Sequence, residues 1–284
     1  MILVVGASGT NGREVVLRLS YAGKRVRALV RNPDKVTGLN LRGVELVKGD
    51  LDDAASVSAA LQGVQSAFIV TAVDERAGKW FETFFDAAKK AGVRHIVKFS
   101  AMGAGDSHSE LLVLHGKTDQ WLKDTGIPYT ILQPNSFYQN MFWAAGTIKD
   151  YGAFYLPMGD AAQSLVDVRD IADVAAKVLS EAGHEGKTYE ITGPQLLTYH
   201  DIAAMLSNVL GKPVKYVPVS ADAALESMLK SGMLAWNAKG VTDLLTVFTG
   251  EKYRYTTDSV KQIMGHSPAA FEQFARDYAA AFAN

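Results

Sequence analysis

The 284-residue sequence contains no cysteine, which excludes a disulfide framework, thiolate metal ligation and a cysteine nucleophile, and fits a reducing compartment. Its six histidines include no pair spaced to place two ligands on one helical face, so a metal site is not expected. Net charge is scarce. With 29 basic against 30 acidic residues the chain carries −1 at pH 7, leaving no electrostatic footprint for nucleic acid or an anionic membrane surface. Long hydrophobic runs are absent as well: the opening apolar run stops at Val5 without a basic leader, and no later segment approaches a membrane span. These absences fit a cytoplasmic protein whose partner is a small molecule; monomer and homodimer both stay open. What the chain has is 48% hydrophobic and 21% charged residues, enough to bury one large core with a smaller appendage.

The most informative segment is Ile2-Leu3-Val4-Val5-Gly6-Ala7-Ser8-Gly9-Thr10-Asn11-Gly12-Arg13. Four apolar residues suit a strand buried on both faces, and glycine then recurs at every third position. Gly6 permits a tight turn, Gly9 the close approach of a pyrophosphate, and Gly12 the packing of a helix on the strand. Amides at that helix start, around Thr10 and Asn11, would face phosphates, with Ser8 beside them. The spacing is one residue longer at the front than the commonest dinucleotide fingerprint, so its weight comes from the strand–turn–helix context.

Further apolar runs at 26–30, 44–47, 67–70, 95–99 and 129–132 read as strands. Amphipathic stretches at 13–22, 54–61, 79–91 and 111–124 read as the helices between them, several closed by a glycine. This alternation predicts right-handed βαβ units and an α/β fold of the Rossmann type, a doubly wound parallel sheet. Beyond Pro134 the rhythm loosens into helices at about 170–181, 199–210 and 221–230, with short strands near Tyr189 and Val214. The expected division is a nucleotide-binding core over 1–150 and a smaller, mostly helical part over 151–284 that partly continues the core. The stretch 236–255 could close as a lid or pack beneath.

Several residues carry candidate chemistry. The second strand ends in Arg31 where a free ribose 2′-hydroxyl would call for Asp or Glu, so the cofactor expected is NADPH, with Arg13 or Lys35 adding charge. A solvated arginine is the plain alternative. Asp50, followed by Leu51, could accept from the adenine amino group or cap the next helix. Thr71, Ala72 and Val73 would border the nicotinamide side. After the sixth strand, Asn135, Phe137, Tyr138 and Asn140 could wall and orient a planar substrate, although Phe137, Met141 and Phe142 also fit a buried face. Trp80, Phe81, Phe84 and Phe85 have helical spacing and read as core.

The glycine turn, Val30-Arg31-Asn32-Pro33, Gly49-Asp50, Ser100, Gly126-Ile127-Pro128 and Val166-Asp167-Val168-Arg169-Asp170 stand in the order seen in NmrA-like atypical short-chain dehydrogenases. Over nearly its whole length the chain resembles their NADPH:quinone oxidoreductase and triphenylmethane reductase group. The resemblance implies a cofactor contact at Ser100. It also exposes a departure from the wider superfamily, whose Tyr-x-x-x-Lys pair moves the carbonyl proton. Anchored on Gly126-Ile127-Pro128, Leu111 occupies the tyrosine position and His115 the lysine position. A quinone tolerates that loss, since the phenolate formed by hydride addition can take its proton from solvent. The expected function is hydride transfer from NADPH to a quinone-like or other conjugated acceptor, with His115 the one candidate catalytic side chain. The alternative is a non-catalytic NADP(H)-binding redox sensor acting through a protein partner.

Overall fold

The computed structural model describes residues 1–283. Strand β1 (Ile2–Val5) is buried along its whole length, as an all-apolar strand covered on both faces must be. It pairs in parallel with β2 (Val26–Val30) on one side and β4 (Ser66–Ile69) on the other. Parallel pairing continues outward to β3 (Val44–Lys48) from β2, and to β5 (His95–Phe99) and then β6 (Tyr129–Pro134) from β4. With β8 (Lys187–Ile191) the sheet has seven strands, ordered β3-β2-β1-β4-β5-β6-β8. The order reverses between β1 and β4, and in such sheets the crevice beyond the carboxyl ends at that point takes ligands.

Helices α1 (Thr10–Tyr21), α2 (Ala54–Ala60), α3 (Ala77–Lys90) and α4 (Glu110–Asp124) fill the crossovers. Phe81, Phe84 and Phe85 of α3 are at most 2% exposed and join Leu3, Ile69 and Ile96 in one core, as their spacing anticipates. Phe84 and Phe85 meet edge to face at 6.1 Å between centroids, a favourable ring geometry.

The chain forms two compact units that interleave in sequence. One comprises residues 1–105, 114–133 and 171–190; the other comprises 106–113, 134–170 and 191–284. The chain returns after 170 to supply most of α6 (Val168–Ser180) and β8 to the sheet-bearing unit. The second unit contains a two-stranded parallel ribbon of β7 (Ala153–Leu156) and β9 (Lys215–Pro218). Its helices are α5 (Ala145–Tyr151), α7 (Tyr199–Leu210), α8 (Ala221–Lys230), α9 (Ala235–Phe248), α10 (Ser259–Met264), α11 (Phe271–Asp277) and α12 (Ala279–Phe282). Thr198 and Asp201 close a reciprocal capping box at the start of α7, which accounts for its sharp onset. Stretch 236–255 is mostly α9, with Ala238, Gly240, Thr242 and Phe248 buried, and α9 packs on α8.

The turn between β1 and α1 is the tightest backbone in the sheet-bearing unit. Gly6 has φ +78° and its missing side chain leaves room for Val70; a Cβ on Gly12 would overlap the Gly6 carbonyl. Because that obstacle is backbone, it cannot swing aside. Gly12→Ala is therefore expected to lower stability by about 1–3 kcal/mol, the usual cost of overpacking, read as a lower denaturant midpoint with an unchanged slope; an unchanged midpoint would contradict this packing.

Candidate active site

The crevice at the carboxyl ends of β1, β2, β3 and β4 gathers most of the expected cofactor residues within one unit. Gly9 donates its amide to the Gly6 carbonyl at 3.0 Å and accepts from the Arg13 amide at 2.9 Å, which fixes the loop as it enters α1. Helix α1 begins with no side-chain cap and no acidic residue in its first turn, so its amides and dipole have no internal counter-charge. Ser8, Gly9 and Thr10 are exposed. A Cβ on Gly9 would make only ordinary contact, 3.4 Å from the Gly6 oxygen; the protein itself does not need glycine there. Asn11 Oδ1 is buried without a partner. An open cradle, free amides and an orphaned polar atom are what a bound diphosphate would account for.

Arg31, at the end of β2, is exposed, as is Lys35, and neither has a carboxylate partner among the described residues. The Asn32 side chain accepts from the Asp34 amide at 3.1 Å and so shapes the turn between them. At the end of β3, Asp53 rather than Asp50 caps α2, accepting from the amides of Ala55 and Ser56. Asp50 Oδ1 accepts from the Asp52 amide at 3.1 Å. Its other oxygen is free for a ligand. Leu51 packs on the sheet core, Thr71 is half-buried and Ala72 exposed.

Beside Ala72 stands a cluster the sequence reading missed. Arg76 grips Asp74 through Nε and Nη2 at 2.9 and 2.8 Å, reaches Asp52 at 2.7 Å, and lies 4.8 Å over the Trp80 ring. Trp80 Nε1 donates to Asp52 at 2.7 Å. The Arg76 hydrogen bond holds Asp74 down to a pKa of about 2. The cluster ties the segment after β4 to the segment after β3, and the only sequence signal for it is the Asp-x-Arg spacing at 74–76.

A second unanticipated group lies below β5. Lys98 is wholly buried and donates to Asp119 Oδ1 of α4 at 2.6 Å, while Ser100 Oγ and Gln133 Nε2 donate to Oδ2 at 2.8 and 3.1 Å. Its signal was a lysine inside an otherwise apolar strand. Ser100 is 1% exposed with its hydroxyl proton committed to Asp119. Its oxygen keeps its acceptor capacity. His115 lies one turn before Asp119, and its Nδ1 is buried without a hydrogen-bond partner. Burial first, and the Lys98 charge second, pull its pKa down to about 3, so the ring is neutral near pH 7.

In the second unit, Leu111 is buried and lies against Gly240, where a Cβ would come within 3.1 Å of its side chain. Two expected wall residues belong to the core instead. Asn135 is 1% exposed, donates to Ser164 Oγ at 2.9 Å and accepts from the Ser136 amide. Tyr138, equally buried, donates to the Ala269 carbonyl at 3.2 Å and packs against Phe271 and Phe274. Helices α11 and α12, which the sequence reading did not anticipate, bring the rings that cover it and Phe142. Phe137 and Asn140 stay half-buried. Asp106 was also missed: it accepts from Lys252 at 2.5 Å, Tyr253 Oη at 2.6 Å and the His108 amide at 3.0 Å, tying the segment before α4 to the turn after α9.

The model of the NmrA-like family matches residues 1–266. The chain belongs to the NmrA-like family. It is 38% identical over 283 residues to the NAD(P)H azoreductase of Xenophilus azovorans, covering 99% of both chains. An NADPH-dependent quinone oxidoreductase from Escherichia coli, solved with NADPH, superposes with a TM-score of 0.88 at 28% identity, over 98% of this chain and 99% of that one. The triphenylmethane reductase of Citrobacter sp., solved with NADP(H), gives 0.86 at 28% identity over the same shares. No helix among the described residues is long and apolar enough to cross a membrane, and no cluster of potential metal ligands occurs among them.

The His115 environment sets a pH dependence. A histidine that resists protonation when folded stabilises the native state fully above its ordinary value of 6.5, and that contribution is lost as the pH falls toward 3. The His115 ring-proton NMR shifts should stay flat from pH 8 to 5, and His115→Gln should lose less stability over that interval than the parent. A titration midpoint near 6.5 would contradict the assigned environment.

Proposed function

We propose that this NmrA-like protein is an NADPH-dependent reductase that delivers hydride to a quinone-like or other conjugated acceptor. The open glycine turn and uncapped helix start at the sheet's switch point are the observation that carries it. Gly6, Gly9 and Gly12 shape the loop, with Ser8, Thr10 and Asn11 around the phosphates. Arg31, with Lys35 near it in sequence, meets the 2′-phosphate as an unpaired forked cation. Asp50 offers its free oxygen to the adenine amino group, and Leu51, Thr71 and Ala72 border the nucleotide. Phe137 and Asn140 are the side chains proposed to meet the acceptor.

The nicotinamide supplies the hydride when bound. The residues on the chain then limit which acceptors work. Leu111 has no proton to give, and His115 is neutral, so neither acts as a strong acid. An acceptor whose reduced anion is stabilised by conjugation, and which solvent can protonate, meets that limit; an unactivated ketone does not. The names of the relatives, an azoreductase, a quinone oxidoreductase and a dye reductase, support the same acceptor class. His115 is assigned a hydrogen-bonding role toward the bound molecules.

Rapid-mixing measurement of NADPH oxidation against a panel of quinones and dyes tests this. Acceptor-dependent oxidation is expected, and it should survive His115→Ala. Cofactor binding without any oxidation would point to a sensor instead. Calorimetry should show NADPH preferred over NADH, with Arg31→Ala lowering that preference about 10- to 100-fold, the value of a hydrogen bond to a charged group.

A further inference from the structure

Arg13 is placed where its charge has no internal use. It stands in the opening of α1, where the helix dipole disfavours a cation, and it has no carboxylate partner among the described residues. Nor is the side chain loose. Its Nη1 donates to the Thr37 carbonyl at 2.9 Å, which carries the guanidinium away from α1 and onto the segment that follows β2. There Gly38, with φ +73°, offers no Cβ; one placed there would overlap Arg13 Nη2. The segment that holds Arg13 at Thr37 and Gly38 begins with Arg31. Phosphate loop and ribose corner are thus joined by a guanidinium that spends one donor of five on the carbonyl and keeps the others.

Holding a cation at an unfavourable helix position, by a carbonyl and over a glycine, is explained if an anion completes the site. We propose that Arg13 is a second determinant of cofactor specificity, which joins Arg31 on the 2′-phosphate of the nucleotide and is aimed there by Thr37 and Gly38. This rests on the NADPH reading above. It differs from a tether role, in which Arg13 would only hold the loop and would matter equally with or without the 2′-phosphate.

The test is calorimetric titration of the full chain with adenosine 2′,5′-bisphosphate and with 5′-AMP, which differ by the phosphate in question. Arg13→Ala should weaken the bisphosphate about 10-fold or more and leave 5′-AMP within about twofold, with the ligand-free melting temperature unchanged. Arg13→Lys should recover part of the loss, since it keeps the charge but not the fork. Equal weakening of both ligands, or no weakening of either, overturns the role of Arg13 while leaving the nucleotide site intact. Failure of the parent protein to bind the bisphosphate at all overturns the cofactor reading, and this assignment with it. Should Arg13→Ala misfold, Arg13→Gln, which retains a donor for Thr37, gives the same comparison.

Discussion

The turn from β1 into α1 is the constraint on which the remaining arrangement rests. Gly12 can face the Gly6 carbonyl only because it has no side chain, and that approach sets how α1 leaves the central strand. What is proposed for the diphosphate follows from where this helix starts: its free amides, the open position at Gly9 and the origin of Arg13. The surrounding sheet makes the turn rigid, since β1 is buried on both faces and paired on both edges.

Charge is distributed to match. Arg31 and Lys35 lack a carboxylate partner among the described residues, whereas the buried Lys98 and Asp119 satisfy each other. Asp119 takes hydrogen bonds from Lys98, Ser100 and Gln133. Buried ion pairs seldom add stability over apolar packing, and breaking one from a single side costs about 3–5 kcal/mol. Here the group links β5, α4 and β6, and the Lys98 charge adds to the burial that keeps His115 unprotonated. Leu111 carries no titratable group and His115 is neutral near pH 7, and the proposed chemistry takes no proton from either.

The sheet-bearing unit was legible because its signals are local and redundant. Apolar runs such as 26–30 and 95–99 coincide with β2 and β5, and glycines close the helices between them. Less legible were features that depend on contacts distant in sequence. The bond from the Ser100 hydroxyl to Asp119, on another element, is one such contact. Tyr138 and Asn135 looked like a wall until α11 and Ser164 buried them. No periodicity reports that a lysine in an apolar strand has an aspartate waiting. Arg13 was visible as a charge; only its bond to the Thr37 carbonyl gives it direction.

The central claim is that the loop through Gly9 and the first amides of α1 hold a diphosphate. Amide hydrogen exchange resolved to residues 8–13, with and without NADPH, tests it most directly. The account predicts that these amides become strongly protected on adding NADPH, and also on adding a nucleotide that lacks the nicotinamide. Protection elsewhere with these amides unchanged, or no protection at all, would contradict it.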